Sequence, residues 1–238
     1  MKKHILSFVF LAWAASATAA TVVFPNSYAS VAGPTDTVGP FGVGGGISFN
    51  YLMAASQFAG VPVGSQITAI GIRVGATFAT APNPALSGTY VIKLSTSLVP
   101  LGSLSNNFAN NTGPNVTTVF NGTLTIPQNA VAGGAGPNPF YVINFTTPYT
   151  YTGGDLLLTL SNTNLTGGSI DIDAIAVGAL ADSAVAGISA HFSNVPVFQF
   201  TYSPAIPGTP APSSITLTIL GLAFVGLFAL ARKHSARA

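Results

Sequence analysis

The chain has 238 residues, of which 48% are hydrophobic and only 5% are charged, and it contains no cysteine. The lack of cysteine excludes disulfides, thiolate metal sites and a cysteine nucleophile. Between the two basic ends, Arg73 and Lys93 are the only lysine or arginine residues against five aspartates, so the basic patch that a nucleic-acid partner requires is missing from the sequence.

Residues 1–20 have the pattern of a secretory signal peptide. Two lysines near the start are followed by an apolar stretch over 5–15 and then by small residues at the spacing that signal peptidase accepts. We predict cleavage after Ala19 or Ala20. An uncleaved anchor or a buried helix is the alternative, although the apolar stretch is short for a membrane span.

Residues 21–202 are predicted to form one extracellular β domain. Apolar residues recur at every second position between clusters of Gly, Pro and Asn; Tyr90, Ile92 and Leu94 share one face of such a segment, and Lys93 lies on the other. The predicted strands are 21–24, 46–54, 67–76, 89–96, 117–126, 140–146, 155–161, 169–176 and 197–203.

Short strands without helices to cover parallel crossovers predict an all-β fold, namely an antiparallel β-sandwich with a jelly-roll-like arrangement. A closed barrel is the alternative. Residues 31–46 and 129–139 are rich in Gly and Pro and are predicted to be loops, whereas 53–58 are predicted to form a short helical turn.

Candidate catalytic and metal-binding residues are few. Asp171 and Asp173 lie two residues apart, so a strand would place both carboxylates on one face. They are weak candidates for Ca²⁺ ligands, and a solvated strand face is the interpretation we favour. His191 is the single histidine away from the ends, and the pattern G-x-S-x-G is absent. We expect no metal, no cofactor and no enzymatic activity; a surface hydrolase that uses His191 and aspartates is the alternative.

Four tyrosines form a further candidate set, Tyr141, Tyr149, Tyr151 and Tyr202. Exposed tyrosine rings would offer a platform on which sugar rings stack. Packing within the sheets, which would bury the same rings, is the interpretation we favour.

Residues 203–214 form a linker that contains four prolines between 203 and 212 and is predicted to be extended. It leads into 215–231, a run of 17 uncharged and mostly apolar residues that would be about 26 Å long as a transmembrane helix. Arg232 and Lys233 follow at the start of a basic tail over 232–238. A body outside the membrane and a tail in the cytoplasm would satisfy the positive-inside rule.

The order of Pro210, Ala211, Pro212 and Ser213, a hydrophobic span and a basic cluster at the C-terminus resembles a PEP-CTERM sorting signal. The family's tripeptide is Pro-Glu-Pro, so Ala211 stands where the family has Glu. The resemblance implies a Gram-negative bacterium that makes exopolysaccharide, and an exosortase-type processing protease that removes or replaces the anchor near the motif. A permanent single-pass anchor is one alternative, and a GPI signal, which normally ends in apolar residues, is another.

Over roughly 55–163 the body is also similar to a recurrent extracellular domain of PEP-CTERM proteins, in stretches such as TTVFNGTLTI and INFTTPYTYTGGDLLLTLSNT. The second stretch predicts a strand, a turn at Pro148, a Gly-Gly turn and another strand. No biochemical activity comes with this resemblance.

Together these features predict an exported protein of the cell envelope, the cell surface or the extracellular matrix, anchored in the membrane before processing. Its expected role is structural or adhesive, in association with exopolysaccharide or biofilm. The alternative is a carbohydrate- or Ca-binding surface module that one helix anchors permanently.

Overall fold

The structure is a computed structural model, and it describes residues 18–42, 46–76, 84–130, 136–186 and 194–205. His191, the predicted sorting motif, the predicted membrane helix and the basic tail lie outside the described residues. Within those ranges, no helix is both long enough and apolar enough to span a bilayer.

The described part of the chain forms twelve β-strands, which are joined by turns and by short 3-10 helices. The strands are β1 (Ala20–Phe24), β2 (Thr35–Thr37), β3 (Ser48–Met53), β4 (Gln66–Ile72), β5 (Leu86–Thr96), β6 (Thr117–Ile126), β7 (Tyr141–Thr150), β8 (Leu156–Gly167), β9 (Ile172–Ala176), β10 (Ala181–Val185), β11 (Asn194–Pro196) and β12 (Phe198–Ser203). The 3-10 helices are Asn26–Tyr28, Gly39–Phe41, Ala55–Phe58 and Phe108–Asn110. The predicted all-β class is confirmed.

These strands build three sheets in which every neighbouring pair runs antiparallel. The strand orders are β1-β12-β4-β7 in a four-stranded sheet, β10-β3-β8-β5-β6 in a five-stranded sheet, and β11-β9-β2 in a small sheet. When β2, β9, β10 and β11 are set aside, the chain crosses between the two larger sheets at every step except from β5 to β6.

The inner faces of the two larger sheets contribute to one hydrophobic core. Tyr51 of β3 meets Phe198 of β12 edge-on, with 5.6 Å between the ring centroids. Phe58 lies between Tyr151 and Phe200, at centroid distances of 5.7 and 5.6 Å. Burial of such large apolar side chains is the main favourable term in folding, and this cysteine-free chain has no covalent cross-link to supplement it.

The positions of the strands agree broadly with the sequence pattern. Each of the nine predicted strands overlaps an observed strand, and 117–126 coincides with β6. The helical turn predicted at 53–58 is present as the 3-10 helix Ala55–Phe58. The loop predicted at 31–46 is wrong in part, because Thr35–Thr37 forms β2 and pairs with β9.

The turn predicted at Pro148 is also wrong, since β7 continues through this residue. The register between β7 and β4 jumps there: Ala69 pairs with Asn144, whereas Ile67 pairs with Tyr149. The four residues between these partners bulge out of the ladder. Because β7 is at the edge of its sheet, no further strand requires the N–H group that proline lacks.

Candidate functional site

The five-stranded sheet carries a polar outer face. In β5, Ile92 and Leu94 are buried in the core, whereas Lys93 between them is exposed. In β8, buried leucines alternate in the same way with Thr159 and Ser161. Successive side chains of a strand point to opposite faces. The alternation therefore places a lysine and several hydroxyl groups on the face away from the core.

The strand register brings these side chains next to one another. Lys93 is the partner of Thr159, which is in turn the partner of Asn50 in β3. The hydroxyl of Thr159 donates a hydrogen bond of 2.7 Å to Oδ1 of Asn50, and the hydroxyl of Ser48 donates one of 2.7 Å to Ser161. Polar groups thus lie in rows across three neighbouring strands.

The segment between β5 and β6, residues 97–116, folds back over one end of this face, and we call it the covering loop. Leu104 of the loop packs with Leu52, Leu157 and Ala184 in a second, smaller apolar cluster. The N–H of Leu104 also donates a hydrogen bond of 3.2 Å to the Asp182 carboxylate. Apolar burial and a charge-assisted hydrogen bond therefore fix the loop to the sheet.

Two asparagines hold the covering loop in shape. Asn111 is buried, and its side chain both accepts a hydrogen bond from the N–H of Ser105 at 2.8 Å and donates one to the Ser105 carbonyl at 2.7 Å. Asn115 accepts from the N–H of Thr96 at 2.8 Å and donates to the Tyr149 hydroxyl at 2.9 Å. Because Thr96 ends β5 and Tyr149 belongs to β7, Asn115 links the loop to both larger sheets.

A groove of about 500 Å³ lies between the covering loop and the polar face. Lys93, Thr159 and Ser161 contribute from the sheet, and Phe108 and Val116 are among the loop residues that line it. The side chain of Val116 is 45% exposed. Small-molecule sites in proteins have volumes of roughly 300–1,000 Å³, so the groove has the size of a ligand site.

Lys93 gives the groove its charge. The residues that line the groove include no carboxylate. Arg73, the other basic side chain of the body, is buried in an ion pair, so Lys93 is the only exposed lysine or arginine in the part of the chain that the structure describes. The groove therefore combines one positive charge with hydroxyl groups and an apolar wall, and it suits a ligand that carries hydroxyls and an anionic group.

Asp173, a weak Ca²⁺ candidate in the sequence, forms a buried ion pair. Nε of Arg73 donates to its Oδ2 at 2.6 Å, and each side chain is 1% exposed. Its Oδ1 accepts from the N–H of Gly33 at 2.7 Å. The Arg73 guanidinium also donates to the carbonyls of Tyr28 and Val31 at 2.9 and 2.7 Å. The predicted solvated strand face is therefore wrong for Asp173, whose two oxygens are both engaged.

Asp171 lies one residue before β9 and is only partly buried. That burial raises the pKa of its carboxyl group. In the described ranges, no three His, Cys, Asp or Glu side chains lie together in a way that could hold a metal ion. Asp171 and Asp173 are thus close in sequence but differ in environment.

The packing of the tyrosines within the sheets, which the sequence favoured, is confirmed for three of the four. Tyr149, Tyr151 and Tyr202 are buried in the core, with exposures of 1%, 4% and 8%. Burial raises the pKa of the Tyr149 and Tyr151 hydroxyls. Tyr141 is partly exposed, and its hydroxyl donates to the Thr125 carbonyl at 3.2 Å. At least three of the four rings therefore have no face available to a sugar.

The predicted cleavage site lies beside the first strand. Ala19 is exposed and precedes β1, whereas Ala20 is its first residue and pairs with Tyr202 of β12. Cleavage after Ala19 would therefore leave the whole of β1 in the mature chain, and cleavage after Ala20 would remove one residue of the ladder. Pro210, Ala211, Pro212, Ser213, Arg232 and Lys233 lie outside the described residues.

The groove was not predicted from the sequence. Thr159 and Ser161 of β8 are far from the covering loop along the chain, and no spacing between these residues indicates that they meet. The one available signal was Lys93, which stands among uncharged residues on the outer face of a predicted strand.

Comparison of the chain with protein-family models and with curated proteins found no match to either.

Proposed function

We propose that the protein is an exported component of the cell surface or extracellular matrix, with a structural or adhesive role in association with exopolysaccharide. The observation that carries this proposal is the outer face of the five-stranded sheet, which is rich in hydroxyl and amide groups and nearly free of charge. Such groups both donate and accept hydrogen bonds, as sugar hydroxyls do. A face of this kind suits association with glycans without a strong electrostatic field.

The contacts that the aspartates make within the protein support a non-catalytic role. Asp155 accepts a hydrogen bond from the N–H of Ala55 at 2.8 Å, and Asp182 accepts one from the N–H of Ser183 at 2.8 Å. Asp173 is held by Arg73. A glycosidase would need a pair of carboxylates that are free to act on a substrate. Three of the five aspartates of this chain instead stabilise its backbone or a buried cation.

We further propose that the body is a jelly-roll-like sandwich. The alternation of successive strands between the two larger sheets supports this arrangement, since a jelly roll combines two such sheets with Greek-key connections. The outer face of the five-stranded sheet beyond the covering loop would then remain available for contact with other molecules.

The two ends support a route to the surface. In this proposal residues 1–20 direct export. A PEP-CTERM-like signal follows at the other end, made of the motif at 210–213, the span 215–231 and the basic tail. It is recognised by an exosortase-type protease of a Gram-negative bacterium. The intact mass of the mature protein from its host tests the route. Loss of the chain beyond 210–214 is expected, whereas a mass that retains 215–238 would refute processing.

Association with exopolysaccharide is tested by cosedimentation of the folded protein with the host's own purified polysaccharide. The heat-unfolded protein serves as the control for trapping without specific contact. Retention of the folded protein alone is expected. Equal retention of both forms, or of neither, would overturn the proposed function.

A second candidate function is that of a carbohydrate-binding module that stays anchored in the membrane. The groove beside Lys93 is the observation that favours it. A mass that retains 215–238, together with binding of isolated sugars, would favour this candidate over a sorted matrix component.

A further inference from the structure

We propose that the groove between the covering loop and the five-stranded sheet binds a glycan that carries carboxylate groups, with Lys93 as the contact for the carboxylate. This inference rests on the proposed function and deepens it, because it names the class of sugar, an acidic glycan with uronic-acid units, and the site that recognises it.

The first argument is charge. Lys93 is exposed at the groove, and among the described residues it takes part in no ion pair. Its cross-strand neighbours Thr159 and Thr118 are uncharged. An ammonium group that has no carboxylate partner among the described residues is available to a ligand anion, and a hydrogen bond with a charged partner is roughly twice as strong as a neutral one.

The second argument is the direction of the hydroxyl groups beside Lys93. The hydroxyl of Thr159 donates its hydrogen bond to Asn50, so its lone pairs remain to accept a hydrogen bond from a ligand. The hydroxyl of Ser161 accepts from Ser48, so its own proton is free to be donated. The sheet side of the groove thus offers a cation, an acceptor and a donor. A sugar ring with one carboxylate and several hydroxyls can use all three.

The third argument concerns the class of ligand. β8 lies between β3 and β5, and β5 lies between β8 and β6, so the backbone groups of both strands are already paired on both sides. An extended peptide could not add to the sheet here, because strand addition requires a free edge. The contacts available are side-chain contacts, which favours a ligand that brings its own hydroxyl groups.

The fourth argument is the wall that the covering loop supplies. Phe108 packs against the second apolar cluster, and its carbonyl accepts a hydrogen bond of 2.8 Å from the Thr112 hydroxyl. Val116 is exposed on the same loop. The C–H face of a sugar ring can pack against these side chains while its polar edge meets the sheet.

The test is calorimetric titration of the full chain with trigalacturonate and with its methyl ester, in which added methyl groups remove the charge of the carboxyl groups. We expect the acid to bind at least tenfold more tightly than the ester. Lys93→Gln should reduce the affinity for the acid at least tenfold, because it removes a charge-assisted hydrogen bond, and Lys93→Arg, which keeps the charge, should retain it.

A matched pair of variants in β8 tests the hydroxyl contact. Thr159→Val should weaken binding of the acid, whereas Thr163→Val changes the same kind of side chain on the same face but outside the groove lining, and should leave binding unchanged. Thermal unfolding of both variants checks that they are folded. Lys93 is exposed, so Lys93→Gln remains a valid test even if Thr159→Val does not fold.

Equal affinity for acid and ester, an unchanged affinity in Lys93→Gln, or no binding of either probe would overturn the inference. Cosedimentation of Lys93→Gln with the host polysaccharide separates this failure from failure of the proposed function. If the variant and the natural chain are retained equally, the surface role stands without the groove. If the natural chain is not retained, the proposed function fails as well.

Discussion

The guanidinium of Arg73 and the carboxylate of Asp173 form an ion pair inside the protein, with 2.6 Å between Nε and Oδ2. Arg73 directly follows β4 of the four-stranded sheet, and Asp173 lies in β9 of the small sheet. The guanidinium also lies 5.0 Å from the centre of the Phe140 ring. The pair therefore connects two sheets by one buried contact, and its loss should be costly.

Asp173→Ala is expected to destabilise the fold by about 3–5 kcal/mol, because it leaves the Arg73 charge buried without its partner. The double variant Arg73→Met with Asp173→Leu replaces both charges by apolar groups and should recover much of that loss. Urea unfolding of the two variants measures the difference. Destabilisation of the double variant beyond that of Asp173→Ala would contradict this account of the pair.

Asn115→Ala should destabilise the protein by about 1–3 kcal/mol, because it removes the contacts that link the covering loop to Thr96 and Tyr149. Asn121→Ala is the matched control, since Asn121 is exposed in β6 and its replacement should change stability by less than about 0.5 kcal/mol. Chemical unfolding curves of the two variants measure both changes in the free energy of unfolding. A similar effect of both substitutions would argue against Asn115 as a link between the sheets.

The pH dependence at Asp171 follows from its raised pKa, which burial causes. The folded state holds the proton of this carboxyl more tightly than the unfolded state does. Its contribution to stability therefore rises as the pH falls from the raised folded pKa to the ordinary value, and it is constant below both.

Asp171→Asn should consequently be more stable than the natural chain at pH 7, by less than about 1 kcal/mol, because Asp171 is partly exposed. The difference should disappear at a pH below the ordinary pKa of an aspartate. Urea unfolding at pH 7 and at low pH measures both values. A variant that is less stable at pH 7 would show that the charged form has a stabilising partner.

Gly75→Ala tests how closely Asp36 packs on the backbone. A methyl group at Gly75 would overlap the Asp36 carboxylate, whereas a methyl group at Gly60 would have no heavy atom within 4 Å. We expect Gly75→Ala to destabilise by about 1–3 kcal/mol and Gly60→Ala to have little effect. Melting temperatures of the two variants would reveal the contrast, and equal values would mean that Asp36 moves aside easily.

The strands that have one apolar and one polar face could be predicted most clearly from the sequence. β5 alternates clearly between Ile92 or Leu94 and Lys93, so its position and its outward face could be predicted. β10 could not, because all five of its residues are buried and the contrast between faces is absent. β2 and β11 are only three residues long, which is too short to display a period.

Prediction of the groove would have required knowledge of contacts between residues that are distant in the chain. Leu104 holds the covering loop down by packing on Leu52 and Leu157, which lie about fifty residues away in opposite directions along the chain. No local pattern indicates such a contact. The tyrosines left two interpretations open for a related reason, since a Tyr in a strand fits either face and only the register determines which face is buried.

The central position of β12 has a mechanical consequence. This strand is hydrogen-bonded to β1 on one side and to β4 on the other, and the chain continues from Ser203 towards the linker. A tensile force that arrives through Ser203 along the axis of β12 would load both ladders in shear, so that many hydrogen bonds must break together. Strands in this arrangement resist extraction, because the hydrogen bonds of both ladders share the load.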